Sequence, residues 1–167
     1  MVSFDEALAA GKVTPEEAAE MFDSLPALRP KELIGLWKGQ SFLTGSPQDG
    51  QLESSGWYGR EFIDENTVHP LVFKSKDNGR FAVDPLKAMA LASQGTHLPD
   101  AQSEAETKEA KARIRVVEFR GMATASMVYN QLPIIDSFRK VDDNTLLGAM
   151  ENVQLPSPYF FVLGRQI

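Results

Sequence analysis

The chain has 167 residues, with 17 basic and 23 acidic side chains, a formal net charge of -6, two histidines and no cysteine. A chain of this length fits one domain whose core needs no covalent or metal staple. The lack of cysteine excludes disulfides, thiolate metal sites, iron–sulfur clusters and cysteine catalysis. Two histidines leave little for a zinc site or a Ser-His-Asp triad, and the acidic balance argues against nucleic-acid binding, which needs clustered Lys and Arg.

The start, Met1-Val2-Ser3-Phe4-Asp5-Glu6, has neither a basic region nor an apolar run. No stretch approaches the ~18 apolar residues of a spanning helix. The expectation is a cytoplasmic protein without integral membrane insertion.

Residues 1–30 read as a helical segment. Ser3 and Glu6 have capping-box spacing, with Gly11 as a stop. Thr14, Pro15 and Glu17 repeat the signal as N-cap, first helical residue and reciprocal partner, and Ala18, Met21 and Phe22 follow on one face. From residue 31 the pattern changes to short apolar or alternating runs. Strands are predicted over 33–43, 55–63, 68–74, 113–120, 122–129, 134–141, 145–151 and 158–166. Turn-forming residues at 45–50, 77–79 and 142–144 separate several of them. Asp84-Pro85 opens one short helix in the middle, with Leu86, Met89 and Ala90 predicted as its buried stripe. Residues 93–112 are small, polar and charged and read as a connector. It divides a front module, 31–92, from a back module, 113–167. Neither has enough strands to close a barrel, so 31–167 is expected to form one barrel domain.

Gly35-Leu36-Trp37-Lys38-Gly39 places Trp37 between two glycines on one strand face. Trp37 is read as a core or cavity-wall residue. Gly56-Trp57-Tyr58-Gly59 follows, with Trp57 and Tyr58 on opposite faces. Ala123, Ala125, Met127 and Tyr129 share a face that runs from small to bulky, as a barrel interior requires. Asp136 and Phe138 face one way, Ser137 and Arg139 the other. Direct pairing of Asp136 with Arg139 would therefore need a bulge, and each is read as a polar anchor or a structural tether. The last strand, around Tyr159-Phe160-Phe161-Val162-Leu163, is apolar on both faces. Nucleotide loops, nucleophile elbows and metalloprotease motifs are absent.

These residues resemble two modules. Gly35-Leu36-Trp37-Lys38-Gly39, Gly56-Trp57-Tyr58-Gly59 and His69-Pro70-Leu71 resemble the bacterial GXWXG module. Ala125-Ser126-Met127-Val128-Tyr129, Leu132-Pro133-Ile134, Asp136-Ser137-Phe138-Arg139-Lys140 and Tyr159-Phe160-Phe161 resemble DUF4334, and the two usually occur in tandem. The resemblance implies a mainly β, antiparallel lipocalin-like or nitrobindin-like β-barrel of unknown function. Members more often carry Asp after the tyrosine, where this chain has Asn130. Nitrobindin-like barrels hold haem through a histidine near the C-terminal end, and here no histidine follows His97.

The reading that follows is a binding protein, rather than an enzyme, for a small hydrophobic molecule such as a lipid or fatty acid. Trp37, Trp57, Tyr129 and Phe138 are its candidate wall, Asp136 and Arg139 its polar contacts. No cofactor or metal is expected. The alternatives are an enzyme with Asp136 or His69 as base and Tyr129 as donor, haem binding through His69, and a solid barrel acting as an interaction protein. Homodimerisation is left open.

Overall fold

The computed structural model describes residues 3–46 and 49–166. Two capped helices open the chain, α1 (Phe4–Ala10) and α2 (Pro15–Ser24). Both capping boxes form as the spacing predicts, from Ser3 with Glu6 and from Thr14 with Glu17. The predicted turn at 45–50 includes Pro47 and Gln48, which lie outside the described residues.

The body is a nine-stranded antiparallel sheet. Its strands are β1 (Gly35–Ser41), β2 (Trp57–Asp64), β3 (Thr67–Lys74), β4 (Arg80–Ala82), β5 (Ala112–Phe119), β6 (Met122–Tyr129), β7 (Ile134–Asp142), β8 (Thr145–Asn152) and β9 (Tyr159–Arg165). β1 pairs with both β2 and β9, and β2 pairs with β3, so eight strands close into a barrel while β4 lies outside β3. Closure removes the exposed edges that would invite aggregation. It also draws front and back modules into one unit, with β3 against β5 at one seam and β1 against β9 at the other.

Alternation along β6 to β9 separates two cores. Ala125, Met127, Tyr129, Phe138, Leu146, Phe161 and Leu163 belong to the interior cluster. Leu147, Ala149, Phe160 and Val162 face outward and are covered by α1 and α2 through Phe4, Ala7, Ala18, Met21 and Phe22. This explains why β9 is apolar on both faces.

After α2, the chain enters a gap between β6 and β7. Regular β6–β7 pairing is confined to Ser126–Val128 against Ile135–Ser137. Beyond it, Ala27 bridges to Arg139, Leu28 N–H donates to Thr124 Oγ1, and Lys140 N–H donates to Pro26 O. The residues past Pro26 thus serve as a short strand substitute.

A 3₁₀ turn, Pro30–Leu33, then closes this end of the barrel. Trp37 Nε1 donates to Leu33 O at 2.8 Å, and the Arg165 guanidinium lies 4.3 Å from the Trp37 ring centre while donating to Ile34 O and Glu32 O. The opposite end carries α3 (Gln51–Ser55), α4 (Pro85–Ser93) and the segment after α4.

Three expectations change here. The stripe of α4 is Pro85, Ala88 and Leu91, while Leu86, Met89 and Ala90 are exposed. Asp84 caps the helix through Leu86 and Lys87 N–H, which fixes its rotation on the barrel. The 93–112 stretch also contains a 3₁₀ turn, Leu98–Ala101, and α5 (Gln102–Ala105). Leu98, Ala101 and Ala105 are buried in the interior cluster, and Asp84 N–H donates to Ala105 O. A sequence poor in large apolar residues is held by small ones. β4 and α3 are further elements that periodicity did not signal.

Arg139 carries much of the helix attachment. Its Nη1 donates to Phe22 O, Asp23 O and Leu25 O at 2.9, 3.3 and 3.0 Å, and its guanidinium lies 4.5 Å from the Phe22 ring centre. A cation at a helix C-terminus complements the carbonyls left free there. Arg139→Met should therefore lower stability by about 2–3 kcal/mol, because buried carbonyls lose a charged donor. Arg120→Gln breaks the more exposed pair with Asp23 and should cost less than about 1 kcal/mol. Urea unfolding followed by far-UV circular dichroism measures both.

Candidate functional site

The interior is apolar except at one level. There, Arg60 of β2 meets Asp136 of β7, with Nη2 to Oδ2 at 2.6 Å and both side chains essentially buried. Arg60 Nη1 donates to Pro70 O at 3.0 Å and Tyr129 Oη at 3.2 Å, and contacts Met127 Sδ at 3.7 Å. The guanidinium carbon stands 5.4 Å from the Trp57 ring centre and 5.1 Å from that of Phe161. Aromatic faces thus take the place of water around part of this cation.

Simple alternation would put Arg60 outside, because Trp57 points inward. The β2–β3 register shifts on both sides of Gly59, so an irregularity inserts a residue between Trp57 and Arg60 and turns both into the barrel. Gly59 also lets β2 approach β1: a Cβ there would collide with Trp37 O. Gly39 has a different purpose. A Cβ at that position would occupy the space of the Trp57 ring. The second glycine of the Gly35–Gly39 segment therefore makes room for Trp57 rather than Trp37.

Above the ion pair is a cavity of about 290 Å³, walled by Leu52, Trp57, Arg60, Tyr129, Met150 and Phe161 among others. A second cavity of about 360 Å³ lies between α4 and the start of β7, and Leu71 and Tyr129 border both. The α3 side of the first cavity is tethered by Glu53. Its carboxylate accepts from Ser41 N–H at 2.5 Å and Ser41 Oγ at 2.8 Å, while Ser41 Oγ lies 2.9 Å from Tyr159 Oη. Burial opposes the Glu53 charge, but these Ser41 donors hold its carboxyl below the ordinary range.

Electrostatics at this level are dominated by desolvation. Burial pushes the Asp136 carboxyl up to about 6, with Arg60 opposing the rise. Burial likewise raises the Tyr129 phenol, again against Arg60. For Arg60, burial works against the charge, but Asp136 and Tyr129 together outweigh it and the guanidinium is held above its ordinary value. Trp57 Nε1, Arg60 Nε and Asp136 Oδ1 are buried here with neither a hydrogen-bond nor an ion-pair partner among the described residues.

The sequence candidates are distributed unevenly. Trp57 and Tyr129 line the cavity, and Asp136 lies behind Arg60, off its wall. Phe138 is interior, packed edge-to-face with Phe62 and Phe161 at 6.0 and 6.1 Å between ring centres. Trp37 sits at the closed end, under Arg165. Arg139 is outside the barrel beneath α2; alternation along β7 that directs Asp136 inward directs Arg139 outward. His69 is partly exposed and borders neither cavity. Arg60 is the central residue that the sequence reading missed. Its only signal was a cation directly after a Gly-Trp-Tyr-Gly segment, which does not reveal the register shift.

Among the described residues, no helix is long and apolar enough to cross a membrane, and no three His, Asp or Glu side chains gather as metal ligands. No curated protein matches the chain. Among solved structures, a crystal structure of a protein from Thermomonospora curvata is similar, with 29% identity, a TM-score of 0.76 and coverage of 98% of this chain and 95% of that one. The model for GXWXG protein matches residues 20–78, and that for a domain of unknown function, DUF4334, matches residues 110–165. The chain thus carries a GXWXG match followed by a DUF4334 match, both families of unknown function, and strands from both matched segments lie in one barrel.

Proposed function

We propose that this protein binds a small, mostly apolar molecule in the cavity between α3 and the Arg60–Asp136 pair. The observation that carries the reading is an apolar cavity of about 290 Å³ floored by a buried guanidinium. Such a combination of apolar wall and few polar groups is what small-molecule sites share. The pair contributes little as a structural device. Moving two charges out of water costs several kcal/mol each, and well-packed apolar residues of similar volume often serve stability better. A barrel interior needs only volume to be filled. A charged floor beneath empty space fits recognition.

The enzyme alternative draws on Asp136, whose carboxyl at about 6 suits proton transfer near neutrality. Geometry favours binding instead. Asp136 is off the cavity wall, with Arg60 in contact with it and on that wall. His69 borders neither cavity and so adds no base to the site.

A titration with 1-aminoanthracene, a neutral apolar fluorophore, tests occupancy directly. Fluorescence should rise and saturate with the wild-type protein, and Met150→Trp, which fills the cavity, should weaken binding about tenfold or more. A protein that never enhances the probe, or a filled variant that binds equally well, would overturn the reading.

The pH dependence of stability tests the cost of the floor. The folded Asp136 carboxyl lies above its unfolded value, so its contribution is full below about pH 4 and lost as pH rises through about 6. Asp136→Asn lacks this dependence. Between pH 4 and 7 the variant should gain on the wild type by roughly 2–3 kcal/mol, at about 1.4 kcal/mol per pH unit. Urea midpoints at several pH values measure the difference.

A further inference from the structure

The polar groups around the cavity carry more information than its volume. Arg60 has already committed its two terminal nitrogens, Nη2 to Asp136 and Nη1 to Pro70 O and Tyr129 Oη. The end-on N–H fork that recognises a carboxylate or phosphate through both terminal nitrogens is therefore not free. Charge leads to the same point. Arg60 and Asp136 balance each other, so an anionic ligand would place a second negative charge near Asp136 against one cation in a desolvated site.

What remains on the cavity wall is a surplus of single donors, since the orphaned acceptor Asp136 Oδ1 belongs to a residue off that wall. Trp57 and Arg60 both border the cavity, and Trp57 Nε1 and Arg60 Nε are buried N–H groups without an acceptor among the described residues. Tyr129 Oη accepts from Arg60, which leaves the phenol proton to be donated elsewhere. A buried donor left unpaired is unfavourable, and an incoming acceptor removes that penalty.

Building on the binding reading, we infer that the occupant is an uncharged apolar molecule carrying one acceptor oxygen, such as a ketone or ester carbonyl, held by Trp57, Arg60 and Tyr129. Free carboxylates of equal chain length are rejected. Specificity comes from filling unpaired donors, which an alkane cannot do, without adding charge, which a fatty acid must.

Displacement of 1-aminoanthracene at pH 8 by 2-undecanone, undecanoate and undecane separates the possibilities. The ketone should displace the probe at concentrations about tenfold or more below either competitor. Tyr129→Phe and Trp57→Phe, two variants so that one folding failure is not decisive, should each weaken the ketone about fivefold or more beyond any change in undecane binding. Undecanoate binding as tightly as the ketone, or undecane doing so, would overturn the assignment while leaving the cavity reading standing. Absence of any probe binding would overturn both.

Discussion

Closing eight strands into a barrel creates an interior of fixed width, and everything inside must fill it or leave it empty. This chain fills the two ends differently. At the closed end, Trp37, Leu33 and the 3₁₀ turn form a plug, with Arg165 over the indole and bonded to backbone carbonyls of Glu32 and Ile34. Towards α3 the packing gives way to an aromatic wall, then to empty space. The Phe62–Phe138–Phe161 chain of edge-to-face rings marks the transition, and Arg60 lies directly above it against Phe161.

Glycine placement makes that uneven filling achievable. Without a side chain at Gly39, Trp57 can lie against β1; without one at Gly59, β2 can close on the backbone of Trp37. Gly148 does the same for Phe161, whose ring would press on any Cβ at that position. Two large rings and one close approach of backbones are thus accommodated by three missing side chains. The cost of glycine in a strand is conformational entropy, and here it is offset by aromatic packing.

Much of this was legible in the sequence, because strand periodicity is enforced wherever one face is buried. The eight barrel strands fall close to their predicted limits, and the inward set Ala125, Met127, Tyr129 follows from alternation alone. The helix caps at Ser3 and Thr14 were equally plain, since their chemistry is local. Failures occur where a local rule is interrupted. The register shift at Gly59 reverses the facing of Arg60, and no residue type announces it. The stripe of α4 depends on how Asp84 seats the helix, which its weakly amphipathic sequence leaves undecided. Ala101 and Ala105 are buried because of what lies beneath them, and small residues carry little signal of burial.

Arg60 and Arg139 show how one residue type serves two purposes in the same barrel. Both lie against aromatic rings, and both are buried. Arg139 donates to three carbonyls at the end of α2, where the helix leaves acceptors in need of donors, so local structure accounts for its charge. Arg60 has no helix end to serve. Its partner is a carboxyl that burial pushes towards neutrality, and one of its nitrogens remains unpaired. Asp136 makes the charge of Arg60 tolerable without using all its donors, and Arg60 also borders the cavity. The same alternation that sends Arg139 out to hold the helices sends Asp136 in to balance Arg60, so β7 couples the two arrangements through residues only three positions apart.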